Sequence, residues 1–255
     1  MREIFRTILL NREAEKKMLA VLIDPEKCQG PLLAATIAAL KVEAPDFIFV
    51  GGSLTSTSTK SLIELFKEET ESKIILFPGN ASQFTPNADA LLFMSLISGR
   101  NPDYLIGQQV QSAISVKNSG MEVIPMGYIL IEGDAKSSVE YISNTQPIPR
   151  EKKGIVLSTA LAGELLGMHI IYLEAGSGAK SPVSPELIQY VSENISIPLI
   201  VGGGITTPAD MISSFEAGAD IVVIGNFFEK YPYKIPDFIE YRDKYYEEKR
   251  KKEEE

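Results

Sequence analysis

Eight runs rich in β-branched apolar residues recur along the chain, and segments with helical spacing separate most of them. The runs are MLAVLID (18–24), FIFVGG (47–52), KIILFP (73–78), ALLFMSL (90–96), EVIPMGYILI (122–131), HIIYLEA (169–175), PLIVGG (198–203) and DIVVIGN (220–226). Their hydrophobicity is continuous rather than alternating, which suits parallel strands covered on both faces. Helical patterns fall at 31–43, 59–69, 102–118, 155–167, 184–194 and 207–218. Ser184 and Thr207 are good N-caps, and Pro185 and Pro208 fit the first helical position. Strict alternation of eight strands with helices predicts an α/β fold, a TIM-type (β/α)8 barrel in one domain spanning 1–255. Two connections depart from the pattern. The segment between Pro78 and Ala90 is too short and turn-rich for a full helix, so a loop replaces the third helix and leaves one side open. The connection from Ile131 to His169 is long, with a turn-rich stretch at 144–154. The charged tail, about 247–255, continues a helix from near Asp237 and reads as a solvated, fraying end.

At 255 residues and 44% hydrophobic, the chain can bury one substantial core. A net charge of −9 argues against a nucleic-acid partner, because no basic stripe is present to neutralise a phosphate backbone. The single cysteine, Cys28, excludes a disulfide framework and thiolate metal clusters, and it reads as a small, partly buried residue. The single histidine, His169, opens an apolar run and reads as a strand-edge residue. A His-based metal cage is therefore impossible, and a Ser-His-Asp triad is disfavoured. The charged N-terminus lacks the pattern of a secretory signal, and no apolar run is long enough to span a bilayer; the expectation is a cytoplasmic protein with at most transient membrane contact.

Two segments carry the candidate chemistry most directly. VGGGI (201–205) and VVIGN (222–226) are strands that stop at glycine before a helical segment, an arrangement by which many α/β barrels hold a phosphate on main-chain amides. The alternative is that these glycines only make tight turns. Asp24 closes the first strand, either as a turn-capping carboxylate or as a hard oxygen ligand for Mg2+. In YLEAGSGA (172–179), Tyr172 and Glu174 share a strand face and Leu173 points the other way. Aimed together at the barrel mouth, they can bind a polyol and accept a proton from it.

Taken together, LIDPEK (22–27), FVGGS (49–53), YLEAGSGA, VGGGI and IGN (224–226) resemble the geranylgeranylglyceryl phosphate synthase family, which includes the heptaprenyl members called PcrB. The resemblance covers essentially the whole barrel, with motifs at five strand ends in order. It implies a prenyltransferase that forms an ether between the C3 hydroxyl of sn-glycerol 1-phosphate and an allylic polyprenyl diphosphate, releasing diphosphate. Asp24 and Ser53 would bind Mg2+. Tyr172, Leu173, Glu174, Ala175, Gly176, Ser177, Gly178, Gly203, Gly204, Gly225 and Asn226 would hold glycerol phosphate, with Glu174 the proton acceptor beside Tyr172. One departure stands out: many members carry a lysine two residues before this aspartate, where this chain has Leu22. The missing third helix would leave an apolar trough for the prenyl chain, and Tyr104 is a candidate stop at its end. A C20 donor is expected over a C35 one, and a dimer or hexamer over a monomer. The competing readings are another phosphate-sugar barrel enzyme, such as an isomerase or lyase, and a non-catalytic phosphate binder.

Overall fold

The computed structural model describes residues 3–53, 57–134 and 136–254. In chain order the elements are α1 (Glu3–Glu13), β1 (Met18–Ile23), α2 (Gly30–Val42), β2 (Phe47–Val50), α3 (Thr59–Glu69), β3 (Lys73–Leu76), β4 (Ala90–Leu96), α4 (Gln108–Ser119), β5 (Glu122–Leu130), α5 (Ser138–Ser143), α6 (Lys153–Leu165), β6 (Ile170–Glu174), α7 (Pro185–Ser192), β7 (Leu199–Gly202), α8 (Pro208–Glu216), β8 (Ile221–Ile224), α9 (Asn226–Lys230) and α10 (Ile235–Glu254). The eight strands are all parallel and close as β1-β2-β3-β4-β5-β6-β7-β8, with β8 pairing back onto β1. This is the (β/α)8 barrel that the alternation predicts.

The pleat of each strand divides the core in two. One set of residues, including Met18, Ala20, Phe47, Phe49, Ile75, Met126, Tyr172, Ile200 and Val223, fills the barrel interior. The other, including Leu19, Val21, Ile48, Val50, Leu173, Val201 and Val222, packs outward under the helices. Ser184 and Thr207 cap α7 and α8 as expected, with Pro185 and Pro208 in the first turns.

Three features differ from the sequence expectation. The helix α1, which the charged N-terminus conceals, lies against the interior core through buried Ile4 and Ile8. Glu122 at the start of β5 accepts the amides of Ile4 and Phe5 at 2.8 and 2.7 Å, so one carboxylate caps the first turn of α1. The helix expected over 102–118 opens as a π turn at Asp103–Gly107 before α4 begins. There Ser95 Oγ donates to the Leu105 carbonyl at 2.7 Å, a partner outside the helix that competes with the α ladder. The tail does not simply fray, because Lys249 pairs with Glu216 at 2.9 Å and holds α10 against α8.

The gap after β3 is as expected. Only a single 3-10 turn, Ala81–Gln83, lies between β3 and β4. Buried Gln83 braces it, accepting from Gly79 N at 3.0 Å and donating to the Gly52 carbonyl at 2.8 Å.

The Glu122 cap is testable. Glu122→Ala should destabilise the fold by about 1–2 kcal/mol and speed amide exchange in α1 more than in β6 or β7. Unchanged protection of α1 would show that Glu122 does not hold it.

Candidate functional site

At the C-terminal ends of the strands lies a cavity of about 360 Å3. Its walls include Leu22 on β1, Asp24 and Lys27 after it, Gly52 and Ser53 after β2, Phe77 and Pro78 after β3, and Met94, Leu96 and Tyr104 around β4. Tyr128, Tyr172, Glu174 and Ser177, the glycines 178, 203, 204 and 225, and Asn226 and Glu229 also line it, with Val139 and Ile142 of α5 on one side. Polar groups thus crowd one part of the cavity and apolar groups the other.

Glu174 ends β6 fully inside the protein and opposite Gly202 in the sheet register. Its Oε1 accepts the Gly176 amide at 2.8 Å. Burial raises its pKa above the ordinary carboxylate range, and neighbouring Tyr172 and the Gly176 amide offset only part of that rise. The Tyr172 hydroxyl is buried and has no hydrogen bond of normal geometry among the described residues, although it lies close enough to Glu174 for each to perturb the other. Burial, then the Glu174 charge, push Tyr172 well above its usual range, and Tyr128 follows for the same reasons. Both phenols therefore stay protonated and keep a proton to donate. Tyr128 and Tyr172 meet edge to face with centroids 5.1 Å apart, and Phe77 lies 5.7 Å from Tyr172.

The glycines of VGGG answer to these side chains. A Cβ at Gly202 would stand 2.2 Å from the Tyr172 hydroxyl, and one at Gly203 would stand 2.3 Å from Glu174 Oε1. Gly203 and Gly204 also take φ of +83° and +71°, which a side chain would strain. The first turn of α8 is already closed by a capping box, with Thr207 accepting from Asp210 N and Asp210 from Thr207 N, each at 3.1 Å. That helix start is therefore a poorer anion seat than the motif implies. The start of α9 at Gly225 has no side-chain cap. Ser177 Oγ donates to Asn226 Oδ1 at 3.0 Å and draws the β6 loop onto it.

Most of the residues singled out by sequence converge here, but the 172–178 run is not a continuous contact surface. Leu173 and Ala175 point into the outer core, and Gly176 spends its amide on Glu174, so these three do not line the cavity. Asp24 serves the first of the roles considered for it, as a turn cap, and faces the cavity. Its Oδ1 accepts Glu26 N at 3.0 Å, and its Oδ2 lies 3.5 Å from Lys27 Nζ. No group of three His, Cys, Asp or Glu gathers to hold a metal among the described residues. One carboxylate with Ser53 nearby fits Mg2+ only if substrate phosphates complete the shell, which is how that ion is commonly bound. Cys28 is buried, and burial pushes its thiol up to about 11, as suits an inert residue. His169 stacks on Phe5 at 4.8 Å, away from this cavity.

Sequence reasoning missed Lys27, Tyr128, Phe77, Glu229 and the helix α5. Tyr104 stands where two spaces meet: it lines the main cavity and also a second one of about 40 Å3 that runs between the 3-10 turn and α4. Its hydroxyl lies 3.4 Å from the Ile142 carbonyl of α5, a long hydrogen bond.

Comparison with known proteins places this geometry. The model of the PcrB family matches residues 11–241. The chain belongs to the PcrB family. A geranylgeranylglyceryl phosphate synthase of Flavobacterium johnsoniae is 47% identical over 227 residues, covering 89% of this chain and 93% of that protein. One of Thermococcus kodakarensis is 42% identical, covering 88% and 89%. The crystal structure of (S)-3-O-geranylgeranylglyceryl phosphate synthase from Thermoplasma acidophilum with sn-glycerol-1-phosphate superposes with a TM-score of 0.84 at 34% identity, covering 94% of this chain and 99% of that one. This PcrB-family chain is an enzyme, a prenyltransferase.

Because burial favours the protonated form of Glu174, this side chain stabilises the fold at acid pH and loses that contribution as pH rises through its elevated pKa. Glu174→Gln keeps an acceptor for the Gly176 amide without the buried charge. At neutral pH it should raise Tm by roughly 2–4 °C, and the gain should vanish in acid, where the wild-type carboxyl is protonated in both states. A variant less stable than wild type at neutral pH would contradict the account.

Proposed function

We propose that the chain forms an ether between the C3 hydroxyl of sn-glycerol 1-phosphate and geranylgeranyl diphosphate, with Mg2+. The phosphate of the acceptor rests on the amides around Gly203, Gly204, Gly225 and Asn226, and its glycerol reaches Tyr172 and Glu174. The prenyl chain lies along Pro78, Met94, Leu96 and Val139 toward Tyr104. The observation that carries this reading is the pairing of Glu174, a buried carboxyl of raised pKa, with the unsatisfied Tyr172 hydroxyl, set between a glycine-lined polar end and an apolar trough. The glycerol phosphate complex of the Thermoplasma acidophilum enzyme supports the acceptor.

In the reaction, the C1–O bond of the allylic diphosphate breaks and its electron pair leaves on the diphosphate. The C3 oxygen of glycerol phosphate bonds to C1, and its proton passes to Glu174. Tyr172 donates to the same hydroxyl oxygen and orients it. Asp24 and Ser53 would hold Mg2+, which when bound neutralises charge on the leaving group. Phe77, Tyr128 and Tyr172 present ring faces and edges to the reacting end of the prenyl chain.

Purified protein given labelled sn-glycerol 1-phosphate, geranylgeranyl diphosphate and Mg2+ should yield an EDTA-sensitive lipid product, and Glu174→Gln should lower kcat by at least about 100-fold with acceptor binding little changed. Acceptor binding without any product would favour the non-catalytic phosphate binder instead.

Donor length is set by Tyr104. Opening the wall between the two cavities with Tyr104→Ala should raise kcat/KM for heptaprenyl diphosphate relative to the C20 donor by roughly tenfold or more, given about 0.8 kcal/mol per buried CH2. Unchanged selectivity would reject Tyr104 as the stop.

A further inference from the structure

The cavity is electrostatically hostile to the more highly charged of the two proposed substrates. Three carboxylates, Asp24, Glu174 and Glu229, line it, and Lys27 is the only basic side chain among the described lining residues. Leu22, which precedes Asp24 on β1, is apolar and lies beside Gly225, so it supplies no charge. Lys27 is held by its backbone in the turn after β1, where its amide donates to the Asp24 carbonyl at 3.1 Å. Its Nζ lies 3.0 and 3.2 Å from the two oxygens of Glu229 and 3.5 Å from Asp24 Oδ2. Glu229 projects from α9, the short helix whose first residues form the polar end of the cavity.

We propose that Lys27 is the protein's own cation for the departing diphosphate and that Glu229 is its positioning residue, holding Nζ at the cavity wall until the substrate takes it over. This inference rests on the synthase reading. Lys27 is about half exposed, and ion pairs of that kind contribute little, so exchange of Glu229 for a phosphate oxygen is easy. A phosphate oxygen offers Nζ a charge-assisted hydrogen bond of the same kind as the carboxylate oxygens do, so the exchange loses no donor. The pairing also has a second consequence. Removing Lys27 leaves Glu229 uncompensated against an anion, so the loss exceeds that of one contact, and removing Glu229 as well restores part of it.

The test is titration of the full-length protein with inorganic pyrophosphate by calorimetry, with and without MgCl2, together with KM values for both substrates. Lys27→Met should weaken pyrophosphate binding and raise the KM for the prenyl donor by about tenfold or more, with the KM for glycerol phosphate within about twofold. Lys27→Arg should recover most of the loss. Glu229→Gln should bind pyrophosphate about threefold more tightly than wild type, and the same change made in Lys27→Met should recover clearly more than threefold, so that the double variant binds more tightly than the two single effects multiplied together give. Equal effects of Lys27→Met on both substrates, no effect on pyrophosphate, or strictly additive single variants would overturn the proposal. A wild-type protein that makes no ether lipid would instead refute the synthase reading, and the pyrophosphate titration would still decide the role of Lys27.

Discussion

The arrangement of the mouth depends on one close approach, the passage of the β7 turn across the end of β6. Tyr172 and Glu174 point inward from β6, and the next strand must cross them with nothing on its backbone. Gly202 clears the phenol, Gly203 clears the carboxylate, and Gly204 clears the Ser181 carbonyl, where a Cβ would come within 2.4 Å. The turn reading and the phosphate reading of these glycines are therefore not rivals. The packing of two buried polar side chains strips the turn of side chains, and a stripped turn exposes amides to whatever anion enters. That same packing removes Glu174 from water and lifts its pKa, so the architecture that makes room for a ligand also makes the carboxyl a better base.

Stability is gathered at the other end of the barrel. There Asp46 accepts the Leu19 amide at 2.9 Å and pairs with buried Arg242 from α10, while Asp220 accepts the Leu199 amide at 2.9 Å and lies 3.4 Å from Arg12. With α1 docked there through Glu122, these contacts join both ends of the chain to the strands. Separation of the two ends leaves the mouth free to hold a run of left-handed glycines, an orphaned hydroxyl and a buried acid, none of which a stability-optimised surface would keep.

The barrel was legible because parallel strands buried on both faces write continuous apolar runs, and the turn-rich segment before Ala90 marked the absent helix equally clearly. Strand alternation alone separates Tyr172 and Glu174 from Leu173 and Ala175, so carrying a whole motif over as contacts overstated the site. What escaped notice had weak local signals. In α1 only Ile4 and Ile8 are buried, among charged neighbours. The helix α5 spans six residues inside a long connection. Lys27 closes no strand, and it reaches the cavity because the turn after Asp24 folds back on itself. Glu229 follows Asn226 by one helical turn, a relation that matters only once α9 is known to be a helix.

If the proposed reaction holds, an acidic chain handles two phosphorylated substrates and must hold their charge without many cations of its own. The proposal assigns a different solution to each part of this mouth. In the proposed reaction the acceptor phosphate is a spectator that stays bound throughout, and fixed dipoles would suit it: amides around Gly203 and Asn226 would stabilise an anion with no counter-ion to reorganise. The diphosphate has the opposite need, since its charge grows as the C–O bond breaks and it must afterwards leave. Mobile charge suits that better than a fixed cradle, because a metal that arrives with the substrate departs with the product. A half-exposed lysine with a carboxylate to return to has the same property. On this reading the carboxylates near the leaving group aid turnover, because a site with Asp24 and Glu229 in its wall holds diphosphate only while the cations are there, and releases it when they go.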